Sequence, residues 1–137
     1  MDFKLYGDSG APTLLLIPGL GVSYEIFLPL IKLLEEKFRV IAVQLDGFTM
    51  GANPFGGRQA VLDGYKDVYT NKLESITGAD IQFWYGSKEA FVAKPQVRHL
   101  LSICPDARIT VFPGMNHGQL LIDRPEEVAV RIMEAQS

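Results

Sequence analysis

The sequence contains a single cysteine, Cys104, among 137 residues. One thiol cannot form an intrachain disulfide, and it offers no cysteine pair to a metal ion. We therefore predict a cytoplasmic protein that has no disulfide framework, no metal centre and no other cofactor.

Clustered positive charge and long apolar runs are also missing. The formal net charge is −3, and no run of lysine and arginine is present that would suit nucleic acid or an anionic membrane surface. The apolar run Leu14–Ile17 ends at Pro18 and is far too short to cross a bilayer. Residues 1–6 lack the basic and apolar pattern of a secretory signal. We expect a soluble protein with neither nucleic acid nor a membrane as partner.

Three common ligand-binding motifs are absent as well. The sequence has no Gly-x-Gly-x-x-Gly, no P-loop and no Cys-x-x-Cys, which makes a redox or phosphate-binding α/β domain the weakest interpretation. A composition that is 47% hydrophobic and 21% charged is typical of one compact domain. We predict a single domain over residues 1–137.

Strand-like segments alternate with helix-like segments along the chain. A short edge strand is expected at residues 3–6, and four core strands follow it, each apolar and bounded by turn-forming residues. In chain order, the predicted core strands are Thr13–Ile17, Arg39–Leu45, Ile81–Tyr85 and Arg108–Phe112.

Apolar residues at helical spacing lie between the predicted strands. Ser23 is expected to cap a helix whose apolar positions run from residue 24 to 38. A second apolar stripe covers residues 61–76, and further helices are predicted to begin at Pro95 and Pro125. This alternation predicts a mostly parallel sheet flanked by helices on both faces. Functional residues are then expected beyond the carboxyl ends of the strands.

Three segments at those carboxyl ends carry residues suited to acyl-transfer chemistry. They are Ile17-Pro18-Gly19-Leu20-Gly21-Val22-Ser23, Gly86-Ser87-Lys88-Glu89 and Phe112-Pro113-Gly114-Met115-Asn116-His117-Gly118. In this order and at these places, the three segments resemble loops of the α/β-hydrolases, and the resemblance covers nearly the whole chain. It implies a reduced α/β-hydrolase core and the activity of an esterase or related acyl hydrolase.

The resemblance implies a role for each loop. The turn Gly19, Leu20 and Gly21 would bind an oxyanion or other ligand, with the backbone N–H of Leu20 as donor. The family often has histidine where this chain has Pro18, but a backbone donor does not need that side chain. A plain strand-to-helix turn remains the alternative interpretation of these glycines.

Glu89 and His117 correspond to the acid and the histidine of the family's catalytic triad. Histidine titrates near neutral pH and can accept a proton from a nucleophile, while a carboxylate orients the imidazole and stabilises its charged form. His117 lies between asparagine and glycine and therefore on no apolar face, so we do not expect its side chain to be packed in the core. A surface glutamate remains the alternative for Glu89.

The family's nucleophile has no counterpart in the sequence. A Gly-x-Ser-x-Gly elbow should precede the acid, yet neither serine between Asp46 and Glu89 has that pattern: Ser75 lies near the end of a predicted helix, and Ser87 follows a glycine without forming an elbow. We place a deletion seam near residues 49–55. Closing that gap gives the core strands the spatial order second, first, third, fourth, with the three loops around one crevice.

Two functional hypotheses follow. The first is a hydrolase acting on a small-molecule acyl substrate, with weak activity because the nucleophile is absent. The second is a catalytically inactive pseudo-hydrolase or truncated form that binds a ligand or associates with itself. Lost strands expose apolar surface, so a homodimer is also predicted.

Overall fold

The computed structural model describes residues 2–19, 22–44 and 80–135. The predicted seam near 49–55 and the apolar stripe at 61–76 lie outside these residues, as do Leu20 and Gly21.

All four predicted core strands are confirmed to within one residue at each end. Runs of β-branched, leucine and aromatic residues form them, and glycine, proline or charged residues border them. The five strands are β1 Asp2–Tyr6, β2 Thr13–Leu16, β3 Arg39–Gln44, β4 Gln82–Gly86 and β5 Arg108–Phe112.

The described strands form two sheets. One has the order β1-β3-β2, in which β2 runs parallel and β1 antiparallel to β3, and the other is the parallel pair β4-β5. The neighbours within each sheet agree with the predicted order. The prediction of one continuous sheet is wrong for the described strands, since β2 and β4 are not paired. Packing joins the two sheets instead, because Leu16 of β2 and Phe112 of β5 belong to the same buried cluster.

Four α-helices accompany these strands in the described ranges. They are α1 Leu28–Leu34, α2 Ala90–Ile103, α3 Gln119–Asp123 and α4 Pro125–Glu134, with 3₁₀ turns at Tyr24–Phe27 before α1 and Ser87–Glu89 before α2. The start of α4 at Pro125 is confirmed.

Two expectations about helix starts are wrong. Helix α2 begins at Ala90 and carries Pro95 inside it. Because Pro95 has no N–H, the carbonyl four residues earlier, at Phe91, has no helical hydrogen-bond donor. Both Pro95 and Phe91 are exposed, so water can take the place of that donor. The Ser23 hydroxyl caps no helix, because it donates a hydrogen bond to the side chain of Gln44 instead.

The core lies on one side of both sheets. Helices α1 and α4 pack against each other, and Leu30, Ile31 and Leu34 of α1 are almost fully buried. From the sheets, alternate residues such as Val40 and Ala42 enter the same cluster, as expected where successive side chains of a strand point to opposite faces.

On the other side, the helices of the described residues cover only part of the sheets. Helix α2 packs against β4, and Tyr85 is buried there outside the main cluster. On the three-stranded sheet, however, Leu5 and Leu15 flank Ile41 in one cross-strand row, and Phe3 lies beside them opposite Val43; Phe3, Leu5 and Leu15 are 59%, 52% and 49% exposed. The fold is therefore mixed α/β, and among the described residues both faces are covered only at the β4-β5 pair.

In the three described ranges, no helix is both long enough and apolar enough to span a membrane. The cytoplasmic location stays a prediction.

Candidate active site

Three loops meet at the carboxyl ends of β2, β4 and β5. We call the described residues 17–19, 22 and 23 the glycine loop, residues 87–89 the acid loop and residues 113–118 the histidine loop. Each follows a strand whose side chains are fixed by the core, so the position of each loop is set by the fold.

Glu89 is held at both carboxylate oxygens. It ends the 3₁₀ turn that follows β4, and its Oε1 accepts a hydrogen bond from the backbone N–H of Gly86 at 3.0 Å. Its Oε2 lies 2.6 Å from Nδ1 of His117. The side chain is only 20% exposed. Glu89 is therefore fixed by its own loop and aimed at the imidazole.

Backbone contacts join the acid loop to the histidine loop. The N–H of Lys88 donates to the carbonyl of Met115 at 3.1 Å, and the N–H of Gly114 donates to Oγ of Ser87 at 2.9 Å. A Cβ at Gly86 would lie 2.2 Å from the Met115 carbonyl oxygen. Only glycine permits this approach, so Gly86 allows the two loops to touch.

The histidine loop presents its imidazole at the surface. The His117 side chain is 49% exposed. Its backbone neighbours are ordered by a hydrogen bond from the N–H of Asn116 to Oε1 of Gln119 at 3.0 Å and by Gly118, which has a φ of 69°. That positive φ favours glycine and directs the chain into α3.

The glycine loop lies against the same imidazole. A Cβ at Gly19 would be 2.6 Å from Cε1 and 3.0 Å from Nε2 of His117, so the ring rests directly on the Gly19 backbone. Because Glu89 occupies Nδ1, Nε2 is the ring nitrogen left for chemistry. The structure thus brings together Gly19, Glu89 and His117, three of the five predicted site residues. Leu20 and Gly21 lie outside the described residues.

Gln44 is a site neighbour that sequence reasoning missed. It ends β3, is only 5% exposed, and its Oε1 accepts hydrogen bonds from Oγ of Ser23 at 3.2 Å and from the N–H of Tyr24 at 3.3 Å. One signal was available: Gln44 interrupts an apolar strand at its carboxyl end, where polar residues favour a functional role.

None of the described serines is hydrogen-bonded to His117. Ser23 is bonded to Gln44, Ser87 accepts from Gly114, and the Ser102 hydroxyl donates to the carbonyl of His99 at 2.7 Å. The described part of the chain also contains no group of three histidine, cysteine or acidic side chains placed to hold a metal ion. What the described site offers is an acid-supported imidazole beside a glycine backbone, which is able to accept and return a proton.

Comparison with known proteins gives a likeness of fold. No family profile matches the chain, and no curated protein matches it. Among solved structures, the chain is similar to a crystal structure from Desulfitobacterium hafniense, a protein provisionally assigned to the alpha/beta hydrolase family. The two share 13% sequence identity with a TM-score of 0.69, over 99% of this chain and 100% of the other. At that identity, the comparison shows shared architecture alone.

Proposed function

We propose that this protein hydrolyses carboxylic esters or related acyl compounds, with His117 as general base and general acid. The observation that carries the proposal is the 2.6 Å contact between Glu89 Oε2 and His117 Nδ1. It fixes the imidazole with Nε2 directed toward the glycine loop, where the resemblance places the carbonyl of an acyl substrate.

The reaction uses water as the nucleophile. Nε2 of His117 removes a proton from water while the water oxygen bonds to the acyl carbon, and the carbonyl oxygen becomes an oxyanion. The resemblance assigns binding of that oxyanion to the Leu20 N–H. Collapse of the intermediate breaks the bond to the leaving alkoxide, which takes the proton back from His117, and Glu89 stabilises the imidazolium throughout.

Slow turnover is expected. The sequence has no Gly-x-Ser-x-Gly nucleophile elbow, and loss of one triad member generally costs several orders of magnitude in rate. General acid-base catalysis by a positioned group still contributes about 10²–10⁴-fold. The chain should therefore act above the uncatalysed rate and far below an intact serine hydrolase.

Hydrolysis of a short-chain ester tests the proposal. His117→Ala should remove the catalysed rate, and Glu89→Gln should lower it about a hundredfold. His99→Ala is the matched control, because His99 is the other of the two histidines in the chain and lies on α2. Both p-nitrophenyl acetate and ethyl acetate should be used, because a free imidazole attacks only the activated ester efficiently. A rate that His117→Ala leaves unchanged on both esters would exclude this function.

A second candidate is a non-catalytic module that associates with itself. The exposed apolar residues Phe3, Leu5 and Leu15 on one face of the three-stranded sheet favour it, since adjoining apolar side chains in water favour association. Sedimentation velocity should then show a dimer that Leu5→Glu converts to monomer, with Phe91→Glu, at a more exposed apolar residue on α2, as control. A protein that stays monomeric at all concentrations would exclude self-association, and hydrolysis would be the one remaining candidate function.

A further inference from the structure

Gln44 is the one buried polar side chain among the buried residues that the structure describes. Its neighbours on β3 at Val40, Ala42 and Val43 are buried and apolar, so an apolar residue would suit this environment by default. A buried amide costs free energy unless its polar atoms are hydrogen-bonded. The side-chain oxygen of Gln44 meets that requirement with two donors from the glycine-loop side.

These two hydrogen bonds satisfy groups that the chain leaves open. Tyr24 begins the 3₁₀ turn before α1, and its N–H has no acceptor within its own turn. The Ser23 side chain forms no capping bond. Gln44 therefore supplies, from a strand 20 residues away, an acceptor for the first N–H of this turn.

A continuous set of contacts leads from Gln44 to the imidazole. The N–H of Val22, next to Ser23, donates to the carbonyl of Gly19 at 3.2 Å, and the His117 ring rests on Gly19. Cδ1 of Ile26 also lies against Gly118, the residue after His117, only 2.8 Å from where a Cβ would be. The end of β3 is thus linked to the surface on which His117 sits.

We propose that Gln44 is a positioning residue that fixes the glycine loop against His117 for acyl hydrolysis. The inference rests on the function proposed above and deepens it. Gln44 does not touch the reacting atoms. Its buried amide oxygen sets the place of the backbone that faces Nε2, the nitrogen that moves the proton.

The kinetic test replaces the amide by a side chain of similar length. Gln44→Met should lower kcat for ester hydrolysis about tenfold, as expected for losing a neutral hydrogen bond at a positioned group, with KM little changed. Gln82→Met is the matched control, because Gln82 begins β4 at the opposite end of its strand. If Gln44 acts through Ser23, the double variant Ser23→Ala/Gln44→Met should be no slower than Gln44→Met. Equal kcat in Gln44→Met and wild type would overturn the proposal.

A second readout does not depend on turnover. The Hε1 resonance of His117 should shift in Gln44→Met and stay in place in Gln82→Met, because the ring changes its contact with Gly19 only in the first. If Gln44→Met does not fold, Ser23→Ala removes one of the two hydrogen bonds and should cause a smaller shift of the same kind. An unmoved resonance would refute the positioning role even if wild type shows no His117-dependent hydrolysis, an outcome that refutes the proposed function separately.

Discussion

The two ends of the β4-β5 pair are held together by different interactions. At the carboxyl end, the acid and histidine loops are joined by backbone hydrogen bonds and by the close approach of Gly86 to the Met115 carbonyl. At the opposite end, the N–H of Arg108 donates to the carbonyl of Ile81 at 2.9 Å, and its guanidinium adds an ion pair with Asp80 in which the side chains of Arg108 and Asp80 are 51% and 37% exposed.

The carboxyl end depends on close steric fit, whereas the opposite end carries an exposed pair of charges. Exposed ion pairs contribute little to stability because water screens them and ordering both side chains costs entropy. The close approach of Gly86 to the Met115 carbonyl is not weakened by water in this way, and it leaves no space for an added atom. The end that holds His117 and Glu89 is thus fixed by steric fit, which suits chemistry that needs positions within about half an ångström.

The largest effect should come from adding one methyl group at the carboxyl end. In Gly86→Ala, the new Cβ meets the Met115 carbonyl oxygen at 2.2 Å, so the acid and histidine loops must move apart. We expect a loss of about 2–3 kcal/mol in the free energy of unfolding, as for other overpacking changes, together with loss of His117-dependent hydrolysis. Urea denaturation and the ester assay measure the two effects.

Gly10→Ala is the matched control for that substitution. Gly10 lies in an exposed turn, where a Cβ would come no closer than 3.3 Å to Oδ1 of Asp8, an atom of a side chain that can rotate. The free energy of unfolding of Gly10→Ala should stay within about 0.5 kcal/mol of the wild-type value. Similar losses in both variants would mean that the approach at Gly86 has no special importance.

Local patterns in the sequence predicted the parts that depend on local rules. Apolar runs ended by turn residues located all four core strands, and Pro125 marked the start of α4. The rule that functional residues lie beyond the carboxyl ends of parallel strands indicated which loops to examine, and the resemblance to the α/β-hydrolases assigned the acid and the histidine within them. Glu89 and His117 are 28 residues apart in sequence and 2.6 Å apart in space.

The features that were missed depend on distant partners. Ser23 has the composition of a helix cap, yet Gln44 competes for its hydroxyl from another strand. Pro95 looked like a helix start, but the turn at Glu89 begins the helix earlier. That β2 and β4 lie in different sheets depends on contacts between segments far apart in sequence, and no local pattern contains that information.

The smallest effect should come from the opposite end of the strand pair. The Arg108 guanidinium beside Asp80 lowers the pKa of that carboxyl below its ordinary value of 3.8. A lowered folded-state pKa adds stability above the unfolded value, and that stability disappears as the pH falls through the folded value. Asp80→Asn should therefore cost well under 1 kcal/mol at pH 7, because the pair is exposed. The difference from wild type should shrink as the pH falls through the lowered pKa of Asp80 and in high salt. Urea denaturation at pH 7 and at a series of pH values below the ordinary pKa of 3.8 measures it, and a loss as large as that of Gly86→Ala would reverse the proposed contrast between the two ends.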